Sequence, residues 1–293
     1  NYRYGDVIAH NWDKRHGENR QEIARRNILS FKFFIFLCSF SICLAQDWQE
    51  LRGDHFIIYY ENKSDNSFAK DVIREAERDY SRIASDLGYV RYANFWQWEN
   101  RVKIFIYPDQ DSFLKATGQP SWSVGNANYT TKQISSFSGC VRFKTDTLPH
   151  EIAHLVFRDF VGFVGEVPLW LDEGVAQRQE KSNRELVNYH VRVLYDNNKL
   201  LPLKSLTEMD VRRVAEGVKA QDFYIQAASL VSFLIERFGV DNFTYFCRQL
   251  RDGKNIDEAL RFAYAGRLRS SSELEQKWLK YISELKMSVR IQR

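Results

Sequence analysis

The chain has 293 residues, of which 44% are hydrophobic and 27% are charged, with 14 Gly and 5 Pro. This composition excludes a collagen-like fibre, a low-complexity disordered chain and a small disulfide-rich scaffold. No apolar run reaches the roughly 18 residues that a membrane-spanning helix needs. The formal net charge is +4, but residues 1–45 hold 7 Lys/Arg against 4 Asp/Glu, and the remainder holds 35 against 34. The charge pattern therefore does not favour nucleic-acid binding.

The first 45 residues have the features of a leader. Residues 33–45, FFIFLCSFSICLA, follow Lys32 and end in a small residue, Ala45. A basic flank, a short apolar run and a small residue at the cleavage site are typical of a secretory signal peptide, and a buried strand or an uncleaved anchor helix is the alternative. Residues 1–27 are polar and the first Met is Met209, so we interpret them as translated from sequence upstream of the true start codon. We expect residues 1–45 to be absent from the mature protein, which then has no stable membrane span.

The remaining chain predicts strands alternating with helices, followed by helices alone. Residues 55–61, HFIIYYE, are rich in aromatic and β-branched side chains and predict a strand, and apolar residues at helical spacing predict a helix over 67–87. RVKIFIY and KQISSFSG predict two further strands at residues 101–107 and 132–139. Helices are predicted at 147–159, 168–180, 184–197, 220–238, 242–251, 256–264 and 272–286. This order predicts an α+β fold, with an α/β lobe at 46–165 and a helical lobe at 166–293.

Two cysteines, Cys140 and Cys247, remain after the leader. They could pair in an oxidising compartment, or both could be buried free thiols. The sequence leaves both possibilities open.

The sequence His150-Glu151-Ile152-Ala153-His154 has the H-E-x-x-H pattern. Histidines at i and i+4 lie one turn apart on the same face of a helix, so both imidazoles can reach a single ion. Asp146 and Thr147 lie just upstream as candidate N-cap residues.

A second motif, PLWLDEGVA, places Glu173 after 18 intervening residues beyond His154. This spacing allows the first helix to end and a second helix to run back, so that the Glu173 carboxylate completes a His/His/Glu set. Three ligands with a fourth position open for water distinguish a catalytic zinc site from a closed structural one. The alternative is that both histidines are surface residues and Glu173 is a solvated charge.

These two motifs resemble the gluzincin metallopeptidases, the superfamily of thermolysin and aminopeptidase N. HFIIYYE, WSVGNA, LPHEIAHLVF, PLWLDEGVAQ and FYIQAASLVSFLIERFG more closely resemble exported bacterial proteins with a peptidase MA-like domain. The resemblance covers residues 47–286. It implies a thermolysin-like small mixed sheet with helices, a helix pair that carries the zinc site, and an all-α C-terminal lobe.

The resemblance also implies roles for individual residues. His150, His154 and Glu173 match the ligands of one zinc ion per chain, and Glu151 matches the general base. Gluzincins add a Tyr or His that steadies the oxyanion, for which Tyr224 is the first candidate and His190 the second. Thermolysin-like enzymes carry an Asp four residues after the Glu ligand, where this chain has Gln177. Asp172 points about 100° around the helix from Glu173, so the orientation of the histidines is left unexplained.

In gluzincins an edge strand that precedes the zinc helix pairs with the substrate backbone. Residues 133–139 match its place in the order, with the loop 122–128 beside it, so Gly125, Gln133 and Ser135 are candidate substrate-binding residues. Ordinary sheet and loop is the alternative.

The predicted function is an exported zinc metallopeptidase that acts on a peptide or protein substrate in the bacterial periplasm or at the cell surface. The absence of a G-x-M-E-N motif argues against an aminopeptidase. The alternative from another class is a catalytically silent peptidase-like domain that serves as a binding or structural module. A metal-dependent hydrolase of non-peptide amides is a third possibility. The sequence predicts neither the oligomeric state nor the substrate sequence.

Overall fold

The computed structural model describes residues 48–89, 96–162, 167–209 and 218–286. The predicted leader, residues 1–45, lies outside the described residues. The described residues all belong to one compact unit.

Five short strands form one mixed sheet: β1 Gln49–Arg52, β2 Phe56–Tyr60, β3 Val102–Tyr107, β4 Asn126–Asn128 and β5 Gln133–Phe137. Their order is β1-β2-β3-β5-β4; β2, β3 and β5 run parallel, and β1 and β4 pair antiparallel at the two sides. Buried and half-buried residues alternate along β2 and β3. This alternation arises because successive side chains of a strand point to opposite faces of the sheet.

The helices of the described residues follow in chain order: α1 Asn66–Asp86, α2 Gln110–Thr117, α3 Leu148–Val161, α4 Leu169–Gln177, α5 Lys181–Asp196, α6 Leu203–Glu208, α7 Val218–Phe238, α8 Val240–Arg251, α9 Ile256–Ala263 and α10 Ser271–Glu284. Helix α1 connects the parallel strands β2 and β3. From α3 onward the described residues form no strand.

A single core joins the sheet to α1 and α3, which pack against each other. Ile58, Ile104 and Ile134 of the sheet, Val72 of α1 and Ile152 of α3 are all fully buried. Burying an aliphatic side chain of this kind stabilises a fold by about 1.5–3 kcal/mol. The core therefore holds α3, which carries the H-E-x-x-H motif, firmly against the sheet.

Helix α4 packs closely against α7, and Gly174 allows this approach. A Cβ atom at Gly174 would lie 2.4 Å from the carbonyl oxygen of Ala227 and 2.7 Å from Cγ2 of Val231. The contact is with backbone, which cannot move aside as a flexible side chain would. A glycine at this position thus allows α4, which carries Glu173, to lie close to α7.

The predicted α+β class, with a small mixed sheet and a helical C-terminal region, is confirmed. The predicted strands at 55–61, 101–107 and 132–139 correspond to β2, β3 and β5, and the seven predicted helices after residue 147 are all present. The sequence analysis missed β1, α2, β4 and α6. The division into lobes at 46–165 and 166–293 stays a prediction.

Two further expectations concern the cysteines and the membrane. Cys140 and Cys247 are both buried and free. Within the described ranges, no helix combines the length and the apolar character needed to cross a bilayer.

Candidate metal centre

Helix α3 presents the two histidines from its first two turns. It continues directly from a π-helical turn, Phe143–Thr147, and Pro149 lies in its first turn, where no backbone N–H is needed. The expectation that Asp146 or Thr147 caps α3 is wrong, because no side chain caps this helix. Asp146 instead accepts a hydrogen bond from the backbone N–H of Ser182 at 3.2 Å, at the beginning of α5.

The structure brings His150, His154 and Glu173 together. One ligand atom from each residue lies within 4.8 Å of the others. The two Nε2 atoms are 3.1 Å apart, and Oε2 of Glu173 lies 3.5 Å from Nε2 of His154 and 4.0 Å from Nε2 of His150. Helix α4 therefore brings Glu173 back to the two histidines of α3.

These three side chains fit a zinc ion. Two ligands that each lie about 2.0–2.1 Å from a tetrahedral ion are about 3.3 Å apart, and the observed separations of 3.1, 3.5 and 4.0 Å lie around that value. Two imidazole nitrogens and one carboxylate oxygen are also a donor set that zinc prefers. Three protein ligands leave a fourth position for water or substrate.

Each histidine is held by a carboxylate on its other ring nitrogen. Nδ1 of His154 lies 2.7 Å from Oδ1 of Asp172, and Nδ1 of His150 lies 2.7 Å from Oε1 of Glu180. Because an ionised carboxylate only accepts hydrogen bonds, Nδ1–H donates in both pairs, and each Nε2 is left to face the shared point. The orientation that the sequence analysis left unexplained is therefore supplied by Asp172 and Glu180.

The electrostatics of His154 and Asp172 are those of a buried ion pair. Complete burial lowers the pKa of His154, but Asp172 and Glu173 outweigh burial and raise it to about 10. Burial would raise the pKa of the Asp172 carboxyl, but His154 and Arg158 hold it below its usual value. A metal ion at Nε2 would take the place of the proton there, so its binding would be coupled to proton release.

Tyr129 is a residue at the site that the sequence analysis missed. Its hydroxyl donates a hydrogen bond to Oε2 of Glu151 at 3.2 Å, and its ring meets the His154 ring edge-on at 5.6 Å. The Arg158 guanidinium lies over the same ring, 4.5 Å from its centre, and also contacts Asp172. Burial and the negative charges of Glu151 and Asp172 raise the pKa of Tyr129, so its hydroxyl remains a donor at neutral pH. The sequence carried no signal for it, because Tyr129 lies one residue after β4, a short strand that the sequence analysis also missed.

The two candidate oxyanion donors lie on different helices. Tyr224 is on α7, the helix that packs against α4, and its ring meets Phe223 edge-on at 5.7 Å. His190 is on α5, with its ring 5.5 Å from that of Tyr189. The role assigned to Tyr224 stays a prediction.

The expectation that residues 133–139 form an edge strand is wrong. Gln133 and Ser135 lie on β5, which pairs with β3 on one side and with β4 on the other. Both sides of β5 are therefore occupied, and β4 is the outer strand of the described sheet at this side. Gly125 precedes β4 in close contact with β5, since a Cβ there would lie 3.1 Å from the carbonyl oxygen of Ser135.

A comparison with known protein families matches residues 88–284, more than half of the chain, to the Peptidase MA superfamily. The chain belongs to the Peptidase MA superfamily. Membership indicates a metallopeptidase-like domain. The match begins two residues after α1 and ends with α10, so it includes both motifs of the site. A search of curated proteins found no match.

Proposed function

We propose that the protein is an exported, zinc-dependent metallopeptidase of the gluzincin type that hydrolyses peptide bonds. The observation that carries the proposal is the convergence of His150, His154 and Glu173, with each histidine oriented by its own carboxylate. Histidines in a solvated surface cluster would not each require a carboxylate bonded to Nδ1. The proposal of export rests on the leader pattern at residues 33–45.

His150, His154 and Glu173 would hold the zinc ion, which would supply a water of lowered pKa, about 7, and a Lewis acid for the carbonyl oxygen. Glu151 lies between the two histidines in the chain and serves as the general base, taking a proton from the attacking water. It then gives that proton to the leaving amine. The Tyr129 hydroxyl donates a hydrogen bond to the Glu151 carboxylate at 3.2 Å and so positions the proposed base.

We propose that the substrate backbone pairs with the outer edge of β4. Among the described strands, none lies on the outer side of Asn126–Asn128. The next residue, Tyr129, contacts the general base. A peptide that pairs with β4 as an extra strand would therefore lie close to Glu151. The strand proposed to pair with the substrate is therefore β4 and not β5. Gln133 and Ser135 of β5 pair with β4, and Gly125 directly precedes it, so these three residues hold β4 in place.

The first experiment measures the zinc content of the purified chain by mass spectrometry of the metal. We expect one zinc per chain, and a strongly reduced content in His150→Ala and Glu173→Ala. His190→Ala is the matched control, because it removes a histidine outside the cluster, and it must retain zinc. If the parent protein contains no zinc and does not bind added zinc, the proposal is overturned.

Glu151→Gln separates an enzyme from a peptidase-like binding module. The change keeps the shape of the side chain but removes the base. Loss of hydrolysis of an unstructured protein substrate with zinc retained supports the enzyme. A zinc-loaded parent that cleaves no faster than Glu151→Gln would favour the binding module instead.

A further inference from the structure

A polar cavity of about 550 Å³, separate from the candidate metal centre, lies beside α1, the beginning of α3 and the junction of α4 with α5. Five of its lining side chains are cationic and two are carboxylates. Its volume is within the roughly 300–1,000 Å³ range of small-molecule sites. Gln179 and Lys181 form part of its wall, on either side of Glu180, the residue that holds His150.

The two carboxylates of the cavity are already neutralised. Glu75 pairs with Arg78, and Asp79 pairs with Arg82 at 2.9 Å. Lys144, a third cation of the wall, lies 3.4 Å from Asp71. The negative charges near the cavity are therefore matched by these three cations.

Two cations of the same wall have no carboxylate partner within the described part of the chain. Lys181 forms no ion pair there, and Arg184 donates only to the backbone carbonyl of Gln179, at 3.0 Å. Partial burial lowers the pKa of Arg184, and the positive charges of Arg82 and Arg178 lower it further, against the opposing effect of Asp86 and Asp79. Asp86 already pairs with Arg82 and Arg178, and Asp79 with Arg82. Lys181 and Arg184 therefore add positive charge at this end of the cavity that no carboxylate of the described residues pairs with.

Gln179 adds an independent observation. Its side chain is fully buried and lines the cavity, and its Oε1 accepts a hydrogen bond from Arg82. Its Nε2 has no hydrogen-bond partner among the described residues. Buried amide groups are nearly always paired, so an unpaired donor in the same wall as two cations without a carboxylate partner indicates a missing acceptor.

We propose that this cavity binds a small anion with at least two negative charges, carried by phosphate or carboxylate groups. Gln179, Lys181 and Arg184 supply the donors, because an amide, an ammonium and a guanidinium can all bond to the oxygens of one anion. The site is distinct from the proposed metal centre and does not depend on peptidase activity.

The test is calorimetric titration of the full chain with inorganic phosphate and, separately, with succinate. We expect saturable binding of one anion per chain, which weakens as the ionic strength rises. Arg184→Gln should weaken it at least about tenfold, since a charge-assisted hydrogen bond is lost. Gln179→Glu, which replaces the donor with a carboxylate beside Arg82, should abolish it. Lys280→Gln, an exposed lysine on α10, is the control with the same loss of charge and should not change it.

The two probes and one further variant separate the possible results. Binding of phosphate alone assigns phosphate chemistry, binding of succinate alone assigns carboxylate chemistry, and both support the anion site. Glu173→Gln must retain anion binding, which distinguishes this site from capture of the anion by bound zinc. Absence of saturable binding at millimolar concentrations, or equal weakening by Arg184→Gln and Lys280→Gln, would overturn the proposal.

Discussion

Asp172→Asn tests whether the carboxylate behind His154 contributes to the proposed metal site. The contact is 2.7 Å long, and His154 and Asp172 are only 2% and 6% exposed, so water cannot replace the lost charge. Asparagine retains a neutral acceptor, worth about 0.5–1.5 kcal/mol, in place of a charge-assisted one worth about 1.5–3 kcal/mol. The difference of about 1–1.5 kcal/mol corresponds to a roughly tenfold loss of zinc affinity. Arg158, which loses its counterion, increases the effect.

The assay is a zinc titration in competition with a chromophoric chelator, on protein first stripped of metal. Asp79→Asn is the matched control, because Asp79 is also buried, 5% exposed, and paired with an arginine, but it lies on α1. We expect the control to bind zinc as the parent does, even if both variants lose stability. Unfolding in urea, measured on the same samples, separates a change in metal affinity from a change in the amount of folded protein.

The reasoning is refuted if Asp172→Asn binds zinc within threefold of the parent. It is also refuted if Asp79→Asn weakens zinc binding equally, because the effect would then come from the general loss of a buried ion pair. Either result would mean that the His154–Asp172 contact does not orient a ligand.

The remaining predictions concern the other partners of the site and the packing of α4. Glu180→Gln should weaken zinc binding less than tenfold, because the His150 and Glu180 side chains are 17% and 16% exposed and water can replace part of their contact. A larger loss of zinc affinity than in Asp172→Asn would contradict this. Tyr129→Phe should slow peptide hydrolysis about tenfold with zinc content unchanged, because Glu151 loses a donor, and an unchanged rate would exclude a role in catalysis. Gly174→Ala should lower the free energy of unfolding in urea by about 1–3 kcal/mol, and a loss below about 0.5 kcal/mol would show that the helices separate easily.

The elements that could be predicted are those whose signal lies within one continuous segment. The apolar spacing of α1 and the β-branched run of β3 each decide the structure locally, and their predicted bounds differ from the observed ones by one residue. The placement of His150 and His154 on one face is local in the same sense, because an i and i+4 pair needs only a helix. The placement of Glu173 is not local, because the chain must turn between α3 and α4 to bring it to the histidines. The spacing of the motifs showed only that such a turn is possible.

The elements that were missed depend on pairing or on capping. β4 has only three residues, Asn126–Asn128, with no apolar alternation, and it exists because it pairs with β5. Its presence turned the expected edge strand into an internal one. Helix α2 did carry a readable signal, since Asp109 accepts from the backbone N–H of Ser112 at its beginning and Gly118 ends it with a φ of 67°.

The pairing of Asp172 with His154 shows why adjacent residues on one helix can serve one imidazole from two sides. Consecutive residues of a helix diverge by about 100°, so the sequence alone did not assign Asp172 to the same site as Glu173. The two nitrogens of an imidazole, however, also point in different directions, so a ring beside α4 can meet both side chains. Glu173 lies 3.5 Å from Nε2 of His154, and Asp172 lies 2.7 Å from Nδ1. The angle between the two side chains is what allows Asp172 to orient the histidine while Glu173 faces the proposed metal.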